Sequence, residues 1–226
     1  MKLPLLQLTI SALFLVNVFQ GVCEDAIPAG FRVNPIGVTG QIVRKVNSEA
    51  QSTNRLEYVR HYAKMLSSSN NTNRLFAAWA LGDFPSPQAL DALFLRAKIE
   101  NDDQVIKVLA DSVGRLTLGC LPDAYKLSDG LDGRTFLERS AKFYSQYGYV
   151  GVFAHQFHLV KDNFEAEAML IRPAAELYAP DLIPFFQTVI KESSFSEIQT
   201  TCTNAVKRLT KIKLLEQPIK PNPAAP

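Results

Sequence analysis

The chain has 226 residues, of which 47% are hydrophobic, 20% charged and 10% aromatic, enough for one substantial core or a short repeat array. This composition excludes disorder, collagen and a multi-span membrane protein. Twenty-four Lys and Arg against 22 Asp and Glu leave a formal charge of +2, too small for phosphate neutralisation to dominate binding, so nucleic acid is not an expected partner.

At the start, Lys2 precedes an apolar run over residues 3–19, dotted with Pro4, Gln7, Thr9, Ser11 and Asn17. Gly21 and Cys23 then take the −3 and −1 positions of a cleavage site ahead of Glu24 and Asp25. A charged start, an apolar stretch and small residues at the cut mark residues 1–23 as a removable signal peptide, so the protein is expected to be exported, periplasmic or secreted. The run is shorter and more polar than the ~20 apolar residues of a membrane span. Cys23 also sits at the depth of a lipoprotein cysteine; Gln20 and Val22 depart from the lipobox, which leaves an anchor at Cys23 as the lesser alternative. Residues 24–47 contain Pro28, Gly30, Pro35, Gly37 and Gly40, lack helical periodicity and are expected to form an irregular lead-in.

Residues 48–213 read as helix after helix. Leu56, Val59, Tyr62 or Ala63, and Leu66 share one face of a helix over about 53–67. A polar loop over 67–73 follows, carrying the glycosylation sequon Asn70-Asn71-Thr72. In the next helix Ala77, Ala78 and Ala80 permit close approach, and Gly82 suits a left-handed cap. Ser86 as N-cap with Pro87 in the first turn opens the following helix. Asp102 or Asp103 opens the one after that. At the end, 214–226 is Pro-rich and is expected to be an extended, flexible tail.

An internal repeat emerges at an offset of 93 residues. It sets Pro87 on Pro180, Leu93 on Phe186, Ala97 on Ile190, Val105 on Ile198, Val113 on Val206, Arg115 on Arg208 and Leu116 on Leu209. Within the first copy, Leu81-Gly82 and Val113-Gly114 both sit at the end of an amphipathic stretch, 32 residues apart. The run from Arg74 to Asp83, the helix opened by Pro87 and the acidic turn Asp102-Asp103-Gln104-Val105 together resemble the HEAT and HEAT-like repeat family. That resemblance covers 73–116, extends less fully over 179–213, and thins between them. Helix pairs of this kind each carry an apolar face that only a neighbour can bury, so the expected fold is all-α, an α-solenoid of stacked antiparallel pairs.

Residues 118–163 form an atypical unit. Phe136, Ser140, Phe143 and Tyr147 follow one helical face, Gly148 breaks the helix, and a second helix carries Val152, Phe153, Phe157 and Val160. The aromatic density here has two readings, a core layer or an aromatic-lined groove. On the second reading Tyr144, Tyr147, Tyr149, His155 and His158 are the candidate partner-binding residues.

The candidate chemistry is sparse. His155, His158 and Asp162 share one helical face, but a single helix seldom closes a metal site and neither HExxH nor HxxEH is present, so no metal or other cofactor is expected. Asp129 and Asp132 with two glycines suit an Asx turn better than a calcium loop. GxSxG, SxxK, P-loop and GxGxxG motifs are all missing. Once Cys23 leaves with the signal peptide, Cys120 and Cys202 remain, either bridged or as two buried thiols. The expected function is therefore that of a non-enzymatic scaffold or adaptor for another protein or peptide. A small-ligand or metal carrier built on 134–164 is the first alternative. HEAT-like enzymes, the bilin lyase subunits and alkylpurine DNA glycosylases, are the second, against which export and near-zero charge both weigh.

Overall fold

Helices form where apolar residues recur every third or fourth position, and side-chain caps decide where each begins. The computed structural model describes residues 55–127 and 130–215, within one unit spanning Ala50–Pro226. The expected signal peptide with Cys23, the expected lead-in, Asp129 and the chain from 216 onward lie outside the described residues. Among the described residues there are eight α-helices and no strand. They are α1 (Arg55–Met65), α2 (Asn71–Leu81), α3 (Pro87–Ala97), α4 (Asp103–Leu116), α5 (Gly133–Val160), α6 (Phe164–Glu176), α7 (Ile183–Glu192) and α8 (Ser196–Leu215). Helix α8 thus continues two residues into the expected tail. No helix among the described residues is long and apolar enough to cross a membrane.

The helix starts follow the capping chemistry. Ser86 Oγ accepts the Ala89 N–H at 3.1 Å, and Asp102 Oδ1 accepts those of Gln104 and Val105 at 3.0 and 3.1 Å. The expected loop 67–73 ends earlier than its composition suggested, because Asn70 Oδ1 accepts the Thr72 N–H at 2.8 Å and starts α2 at Asn71. Asn163 caps α6 in the same way through the Ala166 N–H at 3.1 Å. Replacing Asn70 or Asn163 by alanine is expected to cost about 1 kcal/mol each in denaturant unfolding.

Gly82 departs from expectation. Its φ of −61° and ψ of −11° are right-handed helical, so no left-handed cap forms. A Cβ at this position would instead stand 2.8 Å from Ser112 Oγ and from Arg115 Cζ. The glycine is required by the closeness of α4, and a left-handed backbone plays no part.

Each helix packs against its successor, the next but one, or both: α1 on α2 and α3, α2 on α3 and α4, α3 on α4 and α5, α4 on α5, α5 on α6 and α7, α6 on α8, α7 on α8. The 93-residue offset carries several fully buried positions onto fully buried positions. Leu93 and Phe186, Val105 and Ile198, and Leu109 and Cys202 are all 0% exposed. The correspondence also runs back through α6, where residue types alone revealed little. Arg74 and Glu100 form a buried ion pair, with Nε to Oε2 at 2.8 Å. At the corresponding positions Ser193 Oγ donates to buried Glu167 Oε2 at 2.6 Å. A buried polar tie is kept while its chemistry changes, so an alignment by residue type passes over it.

Arg115 and Arg208 share a role as well. Helix C-termini leave carbonyls unsatisfied. Arg115 donates to Trp79 O at 3.0 Å, at the end of α2, with its guanidinium 5.9 Å from the Trp79 ring centroid. Arg208 donates to Ala175 O and Leu177 O at the end of α6, 5.2 Å from the Tyr178 centroid. One cation per copy thus joins the last helix to an earlier one. The lysines near Arg208 on α8, Lys207, Lys211 and Lys213, are exposed.

Among the described residues two buried side-chain atoms lack a hydrogen-bond partner, Arg208 Nε and Ser140 Oγ. Ser140 is fully buried in α5 and its Oγ has no hydrogen-bond partner. Removing a hydroxyl that is desolvated without return should help, so Ser140→Ala is expected to raise stability by about 1 kcal/mol. A loss of stability would show that the hydroxyl does have a partner.

Candidate functional site

The aromatic unit is organised by one backbone conformation. Gly148 has φ 67° and ψ 178°, a region open to glycine and strained for other residues, and it divides α5 into two helices. Phe143 and His155 are twelve residues apart, about 18 Å along a straight helix. Their rings lie 5.1 Å apart, edge to face, so the halves fold back on one another. The expected break at Gly148 is therefore a reversal of chain direction. Gly151 has its own steric reason: a Cβ there would stand 3.0 Å from Tyr147 Cβ.

This reversal gathers some of the candidate residues and separates others. Tyr147 packs on Phe143 at 4.5 Å and on His155 at 5.3 Å, yet remains 40% exposed. His155 is half-buried within the same trio. Phe143 is its centre and was not among the candidate binding residues. The signal that would have found it is its spacing of four from Tyr147, which puts both on one helical stripe. His158 is exposed one turn further on, beside the ring of Phe157.

Tyr149 and Tyr144 face elsewhere. Tyr149 is only 4% exposed, stacks edge-on against Phe153, and donates its hydroxyl to Leu116 O at 3.3 Å. It belongs to the core layer. Tyr144 is half-buried against Phe94 at 5.3 Å and donates to Pro87 O at 3.4 Å. Burial pushes its phenol up, and the neighbouring Asp91 carboxylate adds to the rise, so it stays a neutral donor. The aromatic stripe is therefore divided: Phe136, Tyr149, Phe153 and Phe157 are buried, and Phe143, Tyr147 and His155 reach the surface.

Truncation distinguishes the two tyrosines. Tyr149→Ala opens a cavity and strands a carbonyl, with an expected loss of about 3–5 kcal/mol. Tyr147→Ala is expected to cost about 1 kcal/mol or less. Equal losses in thermal unfolding would overturn this division.

Asp162 lies past the end of α5 at φ 71°, its N–H donating to Glu167 Oε1 at 3.0 Å. Among the described residues no group of three or more His, Cys, Asp or Glu is placed to hold a metal ion. Cys120 and Cys202 are buried and unbridged. Burial pushes both thiols up to about 12, with the Glu167 charge adding to the rise at Cys202, so neither supplies a thiolate near neutral pH. The trio is a surface of two aromatic rings and one imidazole. No family model, curated protein or solved structure matches this chain.

Proposed function

We propose that this chain is an exported α-solenoid that binds another protein or peptide and carries out no reaction of its own. The solenoid reading is supported by the succession of helix contacts and by the buried pairs, caps and arginines that recur at the 93-residue offset. Its HEAT-like character rests on the residues of 73–116. Export rests on residues 1–23.

The observation that carries the binding role is the exposed Tyr147 ring, held in place by Phe143 and His155. A pre-ordered aromatic loses little conformational freedom on binding, and aromatic anchors dominate contact energies. Tyr147, His155 and His158 form the contact face, while Tyr144 packs away from it against Phe94. Tyr149 acts from beneath, by supporting the second half of α5.

Site-directed photocrosslinking in the source cells tests this. A crosslinkable residue in place of Tyr147 is expected to trap one discrete partner, identified by mass spectrometry, while the same residue at exposed Lys107 of α4 traps none. Identical adducts from both positions, or none from either, would refute the contact face.

A further inference from the structure

A groove of about 210 Å³ lies between α3, α4 and the first half of α5, away from the Gly148 reversal. Its floor is apolar, made by Phe94, Ile106 and Leu137. Phe94 and Leu137 are themselves among the buried core residues, so this floor is rigid. Its rim carries three charges, Lys98 from α3 and Arg134 and Glu138 from α5.

These charges are not spent on one another. Arg134 and Glu138 are one helical turn apart, a spacing that favours an ion pair. Arg134 instead donates through Nη2 to Glu100 O at 3.0 Å, which positions its guanidinium and leaves its other N–H groups available. Lys98 and Glu138 are both exposed at the rim. The groove therefore presents two cations and one anion around an apolar floor.

Size and charge together select an occupant. Pockets for drug-sized ligands and cofactors begin at about 300 Å³, so this one suits a smaller molecule. A carboxylate complements Lys98 and Arg134, an ammonium complements Glu138, and a large apolar group fills the floor. All three on one small molecule describe a free apolar α-amino acid. We infer that this groove binds a free amino acid with a large apolar side chain, its carboxylate on Lys98 and Arg134 and its ammonium on Glu138. This site is separate from the proposed contact face, and either stands if the other fails.

The test uses the full chain with L-phenylalanine as probe, by titration calorimetry and saturation-transfer NMR. Two analogues each delete one charge, 3-phenylpropionate lacking the ammonium and phenethylamine lacking the carboxylate. Each is expected to bind about tenfold more weakly than L-phenylalanine, the loss of one charge-assisted contact. Glu138→Gln should abolish the advantage over 3-phenylpropionate and leave the advantage over phenethylamine. Lys98→Gln should shrink the advantage over phenethylamine, with Arg134 still holding the carboxylate, and leave the advantage over 3-phenylpropionate. Both side chains are exposed, so these variants fold, and a melting temperature equal to that of the parent confirms it. Three outcomes would overturn the proposal: no saturation transfer to L-phenylalanine at millimolar concentration, equal affinity for all three probes, or tighter binding of the dipeptide Phe-Gly than of phenylalanine, which would assign the groove to a chain end.

Discussion

Glu100→Ala is expected to lower the unfolding free energy by about 3–5 kcal/mol, among the largest losses any single polar substitution in this protein should cause. The carboxylate is 2% exposed and accepts from Arg74 Nε at 2.8 Å, Arg96 Nε at 2.8 Å, and the backbone N–H groups of Asn101 and Asp102 at 3.0 Å each. Removing it strands two guanidiniums and two backbone donors together. Burial alone would raise this carboxyl, but the hydrogen bonds from Arg74, Asp102, Arg96 and Asn101 outweigh it and hold it at about 2, below its ordinary 4.5. A carboxyl depressed by folding stabilises fully above its unfolded value and loses that contribution as pH falls through the folded one. Between about pH 4.5 and 2, then, the native chain should lose on the order of 3 kcal/mol that Glu100→Gln does not lose. Equal acid sensitivity in the two proteins would remove Glu100 from this role. In the second copy the carboxylate stands on the other side of the tie, because Ser193 takes the place of Glu100 and Glu167 that of Arg74. Glu167 accepts from the Asp162 N–H and the Ser193 hydroxyl, and a hydroxyl can turn to accept from an amide instead. Glu167→Gln should accordingly cost about 1 kcal/mol or less.

Leu93→Asp and Phe186→Asp are each expected to destabilise by at least about 4 kcal/mol, because both side chains are fully buried and a carboxylate there would lose its hydration. Where the aspartate variants do not fold cooperatively, Leu93→Ala, expected to lose about 2–5 kcal/mol, keeps the measurement accessible. Similar losses at the two positions would support equal roles 93 residues apart. A melting temperature unchanged by both aspartates would break the correspondence.

Much of the all-helical architecture was legible in local patterns. Ser86 with Pro87, Asp102 ahead of Val105, and Gly148 between two aromatic stripes are signals confined to one helical turn, where cap and backbone preferences act without reference to distant residues. Apolar spacing likewise marked Leu93, Val105, Phe186 and Ile198 as core, and all four are buried. Among the contact-face candidates, Tyr147 and His155 are brought together by the structure and Tyr149 is drawn inside.

Pairings between helices were decided elsewhere. Arg74 meets Glu100 across 26 residues, and Arg115 meets the Trp79 carbonyl across 36. Such contacts depend on how helices cross and on which carbonyls their ends leave open, and no periodicity within one helix records that. Gly82 illustrates the limit: its sequence context suggests a helix-ending turn, and only the approach of Arg115 and Ser112 shows why a side chain is excluded. Tyr147 and Tyr149 illustrate it again. They stand two residues apart in one aromatic run, but the left-handed residue between them resets the helical phase, sending one ring to solvent and the other into the core. Helix content, the caps at Ser86 and Asp102, the break and the apolar core positions were thus determined by the sequence alone, because each is a property of neighbouring residues. The tertiary structure alone decided which aromatics form a surface, which buried charges are tied, and where Lys98, Arg134 and Glu138 meet over an apolar floor, because these depend on the phase and packing of helices far apart in the chain.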